Sequence, residues 1–190
     1  DHDLVFMGQV DTEGTQTRWY KTESSQSGSP FLDQPINDKH LNWFGSSFSQ
    51  YRSLGFFATG SYIYKEKYSL MLGAKYEGNS KFAQDSRWGL FPTMSAFWRI
   101  SNESFMENID WIEDLKFRFS WGQSGNQPYD NYLYFNTYRA GSQYSYMDMQ
   151  GVEPSGVELT SLKWETIDQL NPGISFYGLN GRMNIEIDYY

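Results

Sequence analysis

The chain has 190 residues, a formal net charge of −8 and no cysteine, and aromatic residues make up 19% of it. No stretch approaches the roughly 20 consecutive apolar residues of a membrane-spanning helix, and a chain this rich in aromatic rings does not have the composition of a disordered protein. The acidic balance argues against a nucleic-acid partner, and the lack of cysteine excludes disulfides, thiolate zinc sites and cysteine nucleophiles.

Alternation of apolar and polar residues is the dominant pattern along the chain, and it predicts strands with two different faces. In the clearest example, Tyr68 to Glu77, every second residue from Tyr68 to Tyr76 is apolar or aromatic. Runs of about 9 to 11 residues are typical of membrane-barrel strands, whereas soluble strands average about 5 to 6. The predicted strands are Leu4–Val10, Leu54–Tyr64, Tyr68–Glu77, Phe91–Ile100, Leu115–Gly122, Leu170–Phe176 and Met183–Tyr190.

The connections between these strands are of two kinds. Tyr64–Tyr68 and Gly178–Gly181 read as tight hairpin turns, whereas Thr12–Gln50 and Gly125–Lys163 are long, polar segments. Following the chain up and down the sheet puts both tight turns on one side and both long connections on the other. This asymmetry is typical of outer-membrane barrels, which have short periplasmic turns and long extracellular loops.

One short helix is expected on the tight-turn side, over Ser101–Asp114. A serine or asparagine could cap its start, and apolar residues from Phe105 to Ile112 recur at helical spacing. The acidic residues at its end, Asp110, Glu113 and Asp114, are interpreted as a solvated helix face.

Two folds explain the alternation. In a secreted β-sandwich the apolar face packs on a second sheet, and in a membrane barrel it meets lipid while the polar face lines a lumen. Strand length and the asymmetry of the connections favour the barrel. Seven strands would not close a bacterial barrel, whose strand number is even. Either one further strand lies in Gly125–Lys163, or strands are missing at both ends; we favour the second and expect this chain to be part of a larger domain.

Four stretches resemble the SusC/RagA type of TonB-dependent receptor. They agree with that family in order and spacing, whereas residues 1–50 match only in kind, as a strand followed by a variable loop. The four stretches are Tyr64–Phe82 (YKEKYSLMLGAKYEGNSKF), Arg87–Ser101 (RWGLFPTMSAFWRIS), Phe105–Pro128 (FMENIDWIEDLKFRFSWGQSGNQP) and Trp164–Phe176 (WETIDQLNPGISF).

The resemblance implies an all-β fold, in which residues 1–190 form an antiparallel transmembrane segment of one TonB-dependent receptor β-barrel domain of about 22 strands around a plug. It implies import of large nutrients, glycans or peptides, across the outer membrane of a Gram-negative, Bacteroidetes-like bacterium. The implied partners are membrane lipid, a SusD-like surface lipoprotein and TonB. The sequence contains no plug domain and no TonB box. The alternative function is a secreted β-sandwich carbohydrate-binding module.

No catalytic, cofactor or metal site is predicted, and the chain is not expected to be an enzyme. His2 and His40 are isolated, and Ser124 lacks the hydrolase elbow pattern. The charges expected to face a lumen are Lys75, Glu77, Arg99, Lys116, Arg118, Glu186 and Asp188. The aromatic residues expected to contact substrate or a covering lipoprotein from the loops are Trp19, Tyr20, Trp43, Tyr129, Tyr132, Tyr134, Tyr138, Tyr144 and Tyr146.

Overall fold

The computed structural model of the chain describes residues 1–27, 38–140, 146, 147, 149 and 151–190. Within these residues the chain forms strands joined by short turns and by one long connection. The strands are β1 (His2–Ser27), β2 (Asp38–Tyr64), β3 (Tyr68–Asn79), β4 (Trp88–Arg99), β5 (Ile112–Asn126), β6 (Tyr138–Ala140), β7 (Val152–Pro154), β8 (Glu165–Gly178) and β9 (Met183–Asp188).

Seven of these strands form one antiparallel sheet in the order β1-β2-β3-β4-β5-β8-β9. Within this sheet the strands are neighbours in the order in which they occur along the chain, with β8 pairing with β5. The short strands β6 and β7 lie in the long connection and pair only with each other. The prediction of an all-β antiparallel fold is therefore confirmed. Every predicted strand is present.

The sheet has one apolar and one polar face, and the apolar face is uncovered. On β3 the even-numbered residues Tyr68 to Tyr76 define the apolar face, where Leu70 is 43% and Leu72 52% exposed. Lys75 and Glu77 lie on the opposite, polar face and are less exposed. A soluble sheet would bury the first set and expose the second, so the distribution is inverted.

Cross-strand register carries the apolar face across the sheet. Leu72 pairs with Gly60 of β2 and Met94 of β4, and Met94 pairs with Trp121 of β5. Antiparallel partners project from the same side of a sheet, so these residues form one continuous apolar band. At roughly 3.3 Å per residue, Tyr68 and Tyr76 lie about 26 Å apart along β3, close to the about 25 Å height of the apolar band of membrane barrels.

The region expected to be a loop, Thr12–Gln50, is largely paired instead. β1 and β2 continue their ladder to the pair Ser27 and Asp38, whereas β3 stops pairing with β2 at Ser53. The upper parts of β1 and β2 therefore form a two-stranded ribbon, defined here as residues 14–27 and 38–52. The sequence of the ribbon does not alternate regularly between apolar and polar residues, so the alternation pattern did not predict strands there. The strands form nevertheless, because the backbone hydrogen bonds between them do not depend on apolar side chains.

The helix expected over Ser101–Asp114 is replaced by two turns of 3-10 helix, Ile100–Asn102 and Ser104–Met106. The Glu103 N–H donates to the carbonyl of Ile100 at 3.0 Å, a bond that spans three residues. The apolar side chain of Phe105 stays exposed, so a longer helix would have no surface against which to pack. No helix among the described residues is long and apolar enough to cross a membrane.

Candidate functional site

The seven charged residues expected to face a lumen all lie on the polar face. Lys75 and Glu77 share it on β3, and cross-strand pairing puts Arg99 beside Lys116 on the same side. The Nη2 atom of Arg118 lies 3.1 Å from a carboxylate oxygen of Asp188, and its Nη1 atom lies 3.9 Å from Glu186. The structure thus gathers predicted charges from strands that are distant in sequence.

Asp114 is a member of this charged surface that the sequence analysis placed elsewhere. Instead of lying on a solvated helix face, it belongs to β5 and lies 3.3 Å from Arg99 Nε and 3.8 Å from Lys116 Nζ. Lys75 pairs with Glu77 on its own strand. The polar face therefore carries three local groups of opposite charges, which is the arrangement of a wall whose charges are largely satisfied.

Three of the aromatic residues assigned to loops lie on the ribbon. The rings of Trp19 and Trp43 are 6.2 Å apart, and the Lys21 ammonium lies 5.6 Å from the Trp43 ring. Tyr20 lies on the opposite face of β1, where its neighbours include Arg18 and Phe48.

The remaining aromatic residues belong to the connection between β5 and β8. Tyr129 is 96% exposed, and Tyr138 and Tyr146 are also exposed. The Tyr132 hydroxyl accepts a hydrogen bond from the Gln50 N–H at 2.8 Å, and Tyr134 contacts the ring of Phe135. Tyr144 lies outside the described residues. Ring contacts in the described part of the chain do not gather these aromatics and those of the ribbon into one site.

A compact cluster at the base of the long connection is the best-packed part of the described chain. We call it the loop base, and it consists of Asn79, Lys81, Phe82, Phe91 and Trp164. Phe82 is fully buried and Phe91 is 4% exposed. The Trp164 ring lies 4.6 Å from Phe82 and 5.3 Å from Phe91.

Hydrogen bonds tie the loop base to the first residues of the long connection. The Lys81 ammonium donates to the carbonyls of Pro128 at 2.9 Å and Tyr129 at 3.1 Å. The Asn79 amide donates to the Gln127 side chain, and the Trp164 indole donates to the carbonyl of Arg87 at 3.0 Å. Both ends of the long connection are thereby fixed to the turn between β3 and β4.

The sequence analysis did not identify the loop base as a unit. Its residues are nevertheless in the stretches that carry the family resemblance: Asn79 to Phe82 in the first, Phe91 in the second and Trp164 in the fourth. Gln127 and Pro128 come from the third. The four stretches therefore meet in space. Their shared resemblance to one family was the only sign in the sequence analysis that these residues belong together.

Glu103 fastens the turn after β4 to the aromatic edge of the sheet. Its carboxylate accepts hydrogen bonds from the Tyr68 hydroxyl at 2.5 Å, the Trp98 indole at 3.1 Å and the Lys67 ammonium at 3.3 Å. The Tyr68 bond, followed by the Trp98 bond, holds the pKa of Glu103 below its ordinary value. In the described part of the chain, no group of three or more His, Cys, Asp or Glu side chains could hold a metal ion.

Taken together, the geometry defines a class of protein. Rings lie at both ends of the apolar face, with Tyr64 and Tyr68 stacked at one end and Tyr76 and Trp88 at the other. An antiparallel sheet with an uncovered apolar face, aromatic borders and charges on its opposite face is the wall of a transmembrane β-barrel.

Comparison with known proteins identifies the family. The family model described as TonB dependent receptor-like, beta-barrel, matches residues 1–190. The chain is 30% identical over 199 residues to TonB-dependent receptor P26 of Formosa agariphila, covering 100% of this chain and 20% of that receptor. It is also 30% identical over 143 residues to TonB-dependent receptor SusC of Bacteroides thetaiotaomicron, covering 72% of this chain and 14% of SusC. The chain belongs to the TonB-dependent receptors of the SusC/RagA type.

A solved structure agrees with this fold. The RagAB peptide transporter superposes with a TM-score of 0.88 over 98% of this chain and 21% of that chain, at 22% identity. The chain thus spans about a fifth of the length of that protein and of receptor P26. The β-sandwich alternative does not describe this fold, because the described residues contain no second large sheet that could cover the apolar face.

Proposed function

We propose that residues 1–190 are part of one barrel domain of an outer-membrane TonB-dependent transporter that imports large nutrients, glycans or peptides. The single observation that carries this proposal is the inverted sheet, with Leu70 and Leu72 exposed on one face and Arg118 paired with Asp188 on the other. Hydrocarbon would surround the first face, and the second would border an aqueous passage.

In this role the charged polar face lines the lumen. Its residues, including Lys75, Arg99 and Glu186, would contact a plug through charged and hydrogen-bonding groups. The groups already pair with one another, so we assign them to shaping and hydrating the wall and give the chain no catalytic role. The relatives support this assignment, since they are named as receptors.

The proposed partners are a SusD-like surface lipoprotein, which would cover the long-connection side, and TonB, which would act from the opposite side. The solved RagAB structure is described as a peptide transporter, and SusC is described as a TonB-dependent receptor. Exposed rings such as Tyr129 and Tyr138 offer faces that could pack on sugar rings or on a partner protein. They are our candidates for contact with substrate or lipoprotein.

The test uses the full-length receptor that contains this chain, produced in its own bacterium. We expect the protein in the outer-membrane fraction, and we expect growth on a glycan or peptide source to require both the receptor and TonB. Growth that requires the receptor but is unaffected by loss of TonB would contradict energised import. Recovery of the intact protein from the soluble fraction would contradict the barrel itself.

Contact by the loop aromatics is tested separately. Tyr129→Ala should weaken growth or lipoprotein capture, whereas Tyr177→Ala, a change near the opposite end of the sheet, should leave both unchanged. Equal effects of the two substitutions would argue against a specific role for Tyr129.

A further inference from the structure

Above the apolar band lie two arginines whose guanidinium groups form no ion pair among the described residues. Arg52 lies two residues before Leu54 on the apolar face of β2, and Arg87 immediately precedes Trp88 of β4. Both line one depression of about 620 Å³ at the edge of the band, together with Leu54 and Trp88. This depression lies outside the proposed lumen, so the proposed transport function gives it no role.

The two arginines differ in their surroundings, since Arg52 is exposed and Arg87 is partly buried. Neither Arg52 nor Arg87 forms an ion pair within the described chain, and the Nε atom of Arg87 is shielded from solvent without any hydrogen-bond partner there. A guanidinium group presents several N–H donors in a planar fork, which fits phosphate oxygens. A shielded donor next to this depression is a group that a phosphate oxygen would satisfy.

The charge pattern on this side of the sheet selects an anion. The register of β1 to β4 places no aspartate or glutamate on the apolar face, while Arg18 and Arg52 extend that face beyond the band. Glu13 also borders the depression, but it projects from the polar face by register, and its carboxylate accepts a hydrogen bond from the Tyr51 hydroxyl at 2.6 Å. The outer surface above the band is therefore positive in a chain whose net charge is −8.

We propose that this depression binds the phosphate-bearing headgroup of a membrane lipid whose acyl chains lie along the apolar band. The proposal rests on the membrane-spanning role proposed above. Leu54 and the stacked Tyr76 and Trp88 rings mark the upper edge of the band, directly below the arginines. A lipid headgroup fits better than a free phosphate ion, because the depression has both an apolar border and cationic donors.

The experiment measures lipid retention by the purified full-length receptor with native mass spectrometry. The probes are lipid A, dephosphorylated lipid A and inorganic phosphate. We expect retention of lipid A to fall at least about tenfold in the double variant Arg52→Gln/Arg87→Gln, because the charge-assisted bonds to phosphate are lost. Arg52→Lys/Arg87→Lys keeps both charges and should retain much of the binding.

Arg182→Gln is the matched control, because Arg182 is exposed in the turn between β8 and β9 at the opposite end of the sheet. It should leave retention unchanged. Equal retention of lipid A and its dephosphorylated form, equal loss in Arg182→Gln, or binding of inorganic phosphate as tight as that of lipid A would each overturn the proposal. A receptor that retains neither lipid form, and is found in the soluble fraction, would instead show that the membrane-spanning role had failed.

Discussion

At the scale of single residues, Leu72 tests the apolar face most directly. It lies midway between Tyr68 and Tyr76 and is 52% exposed. An arginine near the midplane of a bilayer costs about 2–4 kcal/mol, so Leu72→Arg should lower the free energy of unfolding of the full-length receptor in lipid vesicles by about that amount. Denaturant titration measures this change.

The control for that prediction is Ser69→Arg, on the polar face of the same strand. It should be milder, because an arginine there would face water or other polar groups. If Leu72→Arg unfolded no more readily than Ser69→Arg, Leu72 could not be facing hydrocarbon.

Glu103 gives a prediction about pH. Its pKa in the folded chain is lowered, so its bonds contribute stability that is present above the unfolded pKa and lost as pH falls through the folded value. The hydrogen-exchange protection factors of the turn after β4, in which the intrinsic slowing of amide exchange at low pH is divided out, should therefore fall between about pH 5 and pH 3 in the wild type, and Glu103→Gln should remove this dependence. Glu107→Gln, an exposed neighbour, should behave like the wild type. A pH dependence that survives in Glu103→Gln would assign the effect to another group.

The face on which a single strand residue lies was predictable, because successive side chains of a strand point to opposite faces of the sheet. Once Arg118 and Lys116 were placed on one side of a strand, their side of the sheet followed. The partner of Arg99 was not predictable, because a helical pattern over Ser101–Asp114 competed with the strand that begins at Ile112. Asp114 was consequently assigned to a helix and not to the charged wall.

At the scale of elements, the loop base should control the order of the connection between β5 and β8. Lys81→Met would remove the ammonium group that donates to the carbonyls of Pro128 and Tyr129, so these two hydrogen bonds would be lost. We expect faster hydrogen exchange and proteolysis across residues 127–135, with the strands below unaffected. Limited proteolysis followed by mass spectrometry locates the change.

Lys163→Met is the matched control for this substitution. Lys163 is exposed and adjoins Trp164, but it is not part of the loop base. Its replacement should leave the cleavage pattern unchanged. Equal protection of residues 127–135 in wild type and Lys81→Met would show that the lysine does not hold this segment.

The sequence predicted which segments form strands within the apolar band, but it did not predict where those strands begin and end. Leu4–Val10 alternates because one of its faces is apolar, whereas β1 continues to Ser27 on hydrogen bonds to β2. The loop base escaped prediction for a different reason. It joins Phe82 to Trp164 through tertiary packing, and residue periodicity within one strand carries no information about such contacts.

At the scale of the whole molecule, cysteine labelling tests the two faces, and these 190 residues contain no cysteine of their own that would react. Single cysteines are introduced at Met94, Ser95 or Ala96, three consecutive residues of β4. Ser95 lies on the polar face and the other two lie on the apolar face, so both faces are sampled at the same depth. In the full-length receptor, a water-soluble maleimide should label Ser95→Cys much faster than Met94→Cys or Ala96→Cys. Denatured protein, in which all three should react alike, is the control. Uniform labelling in the folded receptor would contradict a wall between lipid and water.

The ribbon formed by residues 14–27 and 38–52 rises about 50 Å beyond the last pair of β2 with β3. Two strands without a third neighbour are only marginally stable in water. The lower parts of β1 and β2 belong to the seven-stranded sheet, whereas in the ribbon these two strands pair only with each other. A protein resting against the ribbon would therefore change its direction more easily than that of the strands beneath it, which belong to the seven-stranded sheet.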